Sequence, residues 1–177
     1  MAGKRRAKTY PEKVLKVVNA GEHGAVNIYR GQIWGATLSC PSYRTELREF
    51  MAHEQEHRAI FQAELDARSV RRCTSYGLCG LGGLVLGFFT GMLGKRTIAV
   101  TTVAVERVVL RHLEDYRERL KDSDRQAYDA LSKIVEDEQE HHDATERAAG
   151  RPGPFLWVVG AIVSLSTEAV IWTGMKI

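Results

Sequence analysis

Residues 54–57 read Glu54-Gln55-Glu56-His57, and residues 138–141 repeat the tetrapeptide as Glu138-Gln139-Glu140-His141. On a helix, positions i and i+3 share a face, about 60° apart, so Glu54 and His57 can reach one metal centre together, as can Glu138 and His141. The residues between them point about 100° and 200° away and cannot join. The repeat extends upstream: Glu22 precedes Glu54 by 32 residues, and Glu106 precedes Glu138 by 32. Glu22 lies in Asn19-Ala-Gly-Glu-His-Gly-Ala-Val-Asn27, and Glu106 follows the uncharged run Thr97 to Val105. A lone carboxylate on a core face costs several kcal/mol unless it is neutralised or paired.

Glu followed by Glu-x-x-His, twice, on four helices, is the ligand pattern of ferritin-like di-iron carboxylate bundles. The expected metal ligands are Glu22, Glu54, His57, Glu106, Glu138 and His141. Their four carboxylate charges balance two ferrous ions. His142 points about 100° from His141 and is expected to cap or face solvent. His53, His23 and His112 are weaker candidates; His112 lies six residues after Glu106 and could orient a ligand across the bundle or pack as a structural histidine.

The rest of the chain fits an all-α protein. It has 177 residues, of which 44% are hydrophobic and 27% charged, enough for one folded domain. The net charge of +3 is too small a bias to imply a nucleic-acid partner. Three cysteines, Cys40, Cys73 and Cys79, form no CxxC pair and read as reduced thiols. Residues 1–11 read as a basic tail, and residues 12–177 as a single helical domain. Bundle helices are expected over about 12–39, 42–69, 97–121 and 125–149, with Ser42 and Asp124 as caps. Gly21 and Gly24 weaken the first helix and predict a close approach there.

From Cys73 to Gly94 there are 22 residues without a charge, bounded by Arg71-Arg72 and Lys95-Arg96. Gly83, Gly87 and Gly91, four apart, form a stripe that lets another helix come close. Ligands on four helices meet at mid-bundle only if the second and third bundle helices run parallel. Residues 71–96 are then a crossover along the bundle, lying in a membrane interface and not spanning it. A second apolar helix is expected over about 155–175, made a poor span by Glu168. The expected fold is therefore a ferritin-like four-helix di-iron bundle with an apolar crossover helix and an apolar C-terminal helix.

Ala20-Gly-Glu-His-Gly-Ala25, Ile28-Tyr29-x-Gly-Gln32, Glu54-x-x-His57, Leu86-Gly87 to Leu93-Gly94-Lys95, Thr102-Val-Ala-Val-Glu106 and Glu138-x-x-His141-His142 together resemble the demethoxyubiquinone hydroxylase family of ubiquinone biosynthesis. The resemblance covers nearly the whole chain after residue 12. It implies a membrane-associated di-iron monooxygenase that hydroxylates the ring of a polyprenyl demethoxyquinone or quinol with O2. It implies the same six ligands, with His112 matching a family histidine near the irons. It also implies NADH as a possible reductant, although no nucleotide motif is present. Partners would be the quinone, a membrane surface and other ubiquinone-biosynthesis proteins, including a lipid-binding accessory protein. The location would be peripheral, on the cytoplasmic face of a bacterial inner membrane or the matrix face of the mitochondrial one. The chain departs from the family's usual Tyr at His23, acid at Arg107 and Tyr at Leu113, and in its end, Ile171 to Ile177. Two other readings use the same residues: a ferritin-like iron- or peroxide-handling protein without a lipid substrate, and a non-enzymatic helical membrane protein. The uncharged stretch favours the lipid-facing enzyme over the first, and metal content separates both from the second.

Overall fold

The computed structural model describes residues 4–177, except for the side chains of Glu140, His141, Ala144 and Ala148. The described chain forms helices α1 (Tyr10–Ser39), α2 (Arg44–Ala67), α3 (Tyr76–Met92), α4 (Lys95–Leu120), α5 (Arg125–Ala149) and α6 (Pro154–Lys176), with one 3-10 turn at Pro41–Tyr43. Local chemistry sets the ends. Pro11 sits in the first turn of α1, and the Glu12 carboxylate accepts hydrogen bonds from the backbone N–H of Lys8 (2.8 Å) and Thr9 (3.2 Å). Asp124 caps α5 as expected, accepting from the Ala127 N–H at 3.0 Å. Ser42 does not cap α2; it lies inside the 3-10 turn that carries Pro41 straight into the helix. Gly94, at φ 94°, ends α3 and starts α4, a backbone conformation that favours glycine.

Residues 4–8 do not behave as a free tail. Arg5 pairs its backbone with Ser69 and Arg71, both at 2.9 Å, and its guanidinium with Glu12. Lys4 meets Asp66.

The four long amphipathic helices α1, α2, α4 and α5 make the bundle. Its apolar packing is divided in two. Val14, Leu15, Phe61, Leu65, Leu113, Leu131 and Ile134 fill one end, and Tyr29, Ile33, Leu47 and Ile98 the other. Between these levels lie Glu22, Glu54, His57, Glu106 and Glu138, all buried.

The apolar helices complete the topology. Gly83, Gly87 and Gly91 of α3 lie against Gly24, Ile28 and Gln32 of α1; the two series rise together, so α3 runs parallel to α1. It is the expected crossover, and it makes α2 and α4 parallel. The close approach includes Gly24, whose carbonyl a methyl group on Gly83 would strike, but not Gly21. At Gly21 the space is open, and a methyl group on Gly24 itself would make ordinary contact. A methyl group at Gly31 would strike the Leu84 carbonyl, and one at Gly87 the Ile28 carbonyl.

α6 runs beside α4 in the same way: Gly160 faces Val100, Ser164 bonds the Ala104 carbonyl at 3.3 Å, and Glu168 meets His112. Glu22 and Glu106, Glu54 and Glu138, and α3 and α6 therefore all follow one repeat of 84 residues. α6 is the one helix among those described that is long and apolar enough to cross a membrane, and little of it is buried. α3, at 17 residues, is shorter than the uncharged stretch that contains it.

Gly87→Ala should lower the thermal midpoint by about 4–8 °C, the effect of overpacking by about 2 kcal/mol in a chain of this size. Gly77→Ala, where an added methyl meets nothing within 4 Å, should hold or raise it. Equal midpoints for the two variants would contradict the backbone contact.

Candidate metal centre

Ligand atoms of Glu22, Glu54, His57 and Glu138 all lie within 4.8 Å of one another, on α1, α2 and α5. The i, i+3 spacing turns Glu54 and His57 inward and leaves Glu56 exposed. His57 Nδ1 is 3.0 Å from Glu138 Oε1, and its Nε2 is 3.3 Å from Asp137 Oδ2. Glu106 is buried on α4 beside this group. Its Oε1 accepts the Tyr29 hydroxyl at 3.5 Å, and its Oε2 has no hydrogen-bond partner among the described residues. An orphaned buried carboxylate oxygen is costly in a finished core and is what a cation would relieve.

The electrostatics agree. Burial, then repulsion from Glu138, raises the Glu22 carboxyl to about 7 and the Glu106 carboxyl to about 9. Glu54 is pushed well above its ordinary range by burial and then by Glu138 and Glu22. Burial pulls His57 down, but the hydrogen bond to Glu138 and the charges of Glu22 and Glu138 outweigh it and leave His57 at about 9. These are oxygen and imidazole donors in a site that favours bound positive charge, and a divalent cation can take the place of the protons. Hard carboxylates with histidine suit a first-row divalent ion such as iron, so the residues fit a metal.

Of the six expected ligands, four form the cluster and Glu106 lies against it. The side chain of His141 lies outside the described residues. His112 does not join them: its Nε2 is 2.8 Å from Glu168 Oε2 on α6. His142 bonds Asp143 at 3.2 Å. His23 stacks on Tyr76, with ring centroids 3.9 Å apart. Sequence reasoning missed Asp137 and Tyr29 as partners of the site. Tyr29 was legible in principle, lying seven residues, or two turns, after Glu22 on the same face. Asp137 carried no such signal.

A cavity of about 490 Å³ opens from the cluster. Glu22, Glu54, Glu106 and Glu138 border it, and its walls are apolar segments of α1, α3, α4 and α6, with Ile28, Leu78, Leu86, Val109 and Ile171 among them. Outside the cavity, α3 and α6 expose Leu81, Phe89, Trp157, Ile162, Leu165 and Trp172.

Residues 9–174 match the family model described as "Ubiquinone biosynthesis protein COQ7". The chain belongs to this family. A Dictyostelium discoideum relative named NADPH-dependent 3-demethoxyubiquinone 3-hydroxylase, mitochondrial, is 30% identical over 170 residues, covering 94% of this chain and 77% of the relative. The Rhodospirillum rubrum 3-demethoxyubiquinol 3-hydroxylase is 29% identical, covering 94% and 78%. The Homo sapiens relative, which bears the same name as the Dictyostelium one, is 26% identical, covering 94% and 77%.

The raised carboxyl and imidazole groups of the buried cluster make metal-free protein sensitive to alkali. Glu22 and Glu106 keep their protons to about 7 and about 9 in the fold, against 4.5 as the ordinary value, and His57 keeps its own to about 9 against 6.5. The folded state binds more protons than the unfolded chain between those limits, so its stability must fall as pH rises through them. The denaturation midpoint of metal-free protein should drop from about pH 5 to about pH 9, and ferrous ion should flatten the slope by replacing protons. A midpoint that climbs with pH would refute this.

Proposed function

We propose that the chain hydroxylates the ring of a polyprenyl demethoxyquinol in ubiquinone biosynthesis, using O2 and two irons held by Glu22, Glu54, His57, Glu106, Glu138 and His141. Relatives that cover nearly the whole chain carry this activity in their names. The observation that carries it is the cavity, which joins buried carboxylates to an apolar opening between α3 and α6. Bound iron supplies the activation of oxygen and the redox chemistry. The balance is one O2, two electrons and two protons in, with one oxygen placed on the ring and the other leaving as water.

The chain's own residues do the rest. Glu22, Glu54 and Glu138 converge from three helices and fix where the metals sit. Asp137 accepts from His57 Nε2 and fixes that imidazole's orientation, leaving Nδ1, the atom nearest Glu138, as the donor to metal. The apolar walls exclude water from the ring, and a long isoprenoid tail lies between α3 and α6. A ferritin-like iron- or peroxide-handling protein needs neither that cavity nor the exposed leucines and tryptophans of these helices.

The reductant we propose is a nicotinamide nucleotide: NADH is the expectation from resemblance, and NADPH stands in the names of relatives. Attachment is peripheral, through the exposed faces of α3 and α6, at the inner membrane. The quinone's extraction from that membrane is a task for a lipid-binding accessory protein of the same pathway.

Anaerobic ferrous loading should give two irons per chain, and addition of O2, reductant and a demethoxyquinol should yield product heavier by one oxygen. Glu54→Gln, His57→Ala and Glu138→Gln should each reduce iron and product about tenfold or more, while Glu56→Gln leaves both unchanged. Full iron in any of the first three would remove that residue from the ligand set.

Membrane attachment has a separate test. Leu81→Asp combined with Leu165→Asp should release the protein from liposomes without loss of iron. Retention on the liposomes would locate the membrane face elsewhere.

A further inference from the structure

The cavity is walled by two halves related by the 84-residue repeat, and the halves are not equivalent. On the α1–α3 side, two repeat positions are Ile28 and Leu84, both apolar. On the α4–α6 side the same positions are His112 and Glu168, and these two are in contact, Nε2 to Oε2, at 2.8 Å. The other carboxylate oxygen of Glu168 meets Arg111, so each oxygen has its own partner. His112 borders the cavity together with Glu22, Glu54, Glu106 and Glu138.

Glu168 is the single charged residue between Pro154 and Met175. An acid in the middle of such a helix is costly. Docking of α6 does not require it, because Gly160 and Ser164 already seat the helix on α4. The fold thus spends a carboxylate where its own repeat uses leucine. Leucine could neither pair with Arg111 at the exposed edge nor fix the neighbouring imidazole that borders the cavity. An ionised carboxylate only accepts, so His112 Nε2 must carry the hydrogen, and in the neutral ring Nδ1 is then an acceptor.

We propose that Glu168 is a positioning residue for the substrate ring: it holds His112 in the tautomer whose Nδ1 accepts a hydrogen bond from a phenolic hydroxyl of the quinol in the cavity. The inference rests on the reading of that cavity as a quinol site. Broken symmetry then sets the ring's orientation. The polar edge of the quinol faces α4 and α6, and its apolar substituents face Ile28 on α1 and the α3 wall.

The test compares a short-tailed demethoxyquinol with its dimethyl ether, which keeps the shape and loses both hydroxyl donors. Binding of each to iron-loaded protein is measured without oxygen, by quenching of tryptophan fluorescence. Wild type should prefer the quinol about tenfold, the equivalent of one hydrogen bond. Glu168→Leu and His112→Leu should each bring the ratio to about one, and the double variant should go no lower, because the two residues act as one device. Glu168→Gln, whose amide oxygen still accepts, should keep an intermediate preference. Iron per chain and thermal midpoint should match wild type throughout, which a purely structural clasp would not allow. A Glu168→Leu variant that retains the tenfold ratio overturns the inference and leaves the quinol site standing. Wild-type protein that binds neither compound overturns the quinol reading itself, and the inference with it.

Discussion

Burying three or four carboxylates within a few ångströms of one another is the constraint on which the rest of this molecule depends. In low dielectric they repel, and the protein alone answers by keeping protons on Glu22 and Glu106 and a hydrogen bond between His57 and Glu138. That answer works only if the groups arrive together from separate helices. The bundle is built to deliver them: α1, α2 and α4 place apolar packing both below and above the polar level, and α5 does so with Leu131 and Ile134 on one side and Ala149, against Ala99 and Val103, on the other. The two apolar clusters hold the helices in register, and the register decides whether Glu54 meets Glu138 or misses it.

The topology serves the same end. A simple up-down bundle would run α2 and the next helix antiparallel. The chain inserts α3, whose glycines let it ride against the α1 backbone, and thereby returns to start α4 in the direction of α2. Side chains are absent where the two backbones meet, so α3 adds little width to the bundle. The same act leaves its other face, with Leu81 and Phe89, unburied. α6 repeats this on α4. The molecule therefore carries two exposed apolar helices as a by-product of its symmetry, and the cavity lies between them. The opening of the cavity and the exposure of these apolar faces are one geometric consequence and not two separate inventions. The repeat is broken at that cavity, where Ile28 in one wall answers to His112 in the other, and behind them Leu84 answers to Glu168.

Much of this was written in the chain order. The repeated Glu-x-x-His and the 32-residue offset gave helical faces by periodicity alone, because a residue's direction on a helix follows from its number. The uncharged stretch and its glycine stripe required a helix that approaches another closely. The span of α5 and its Asp124 cap also followed from local chemistry, since a cap bonds within its own turn. Local signals misled at Ser42, where Pro41 imposes a 3-10 turn, and at Gly21, where a glycine's freedom was mistaken for a close contact.

What only the tertiary structure decided are the relations between distant segments. That Gly31, and not Gly21, meets α3 depends on how far the crossover slides along α1, and no single helix encodes its own offset. That Arg5 pairs with Ser69 and Arg71 depends on the α1 start and the α2 end meeting at one end of the bundle. That Glu168 serves His112 and Arg111, and that α6 is the repeat partner of α3, required α6 to be seen lying on α4. The sequence by itself determined which residues face inward, because helical direction is a local property. Which inward residues touch was left to packing, because contact is set by the relative position of whole helices.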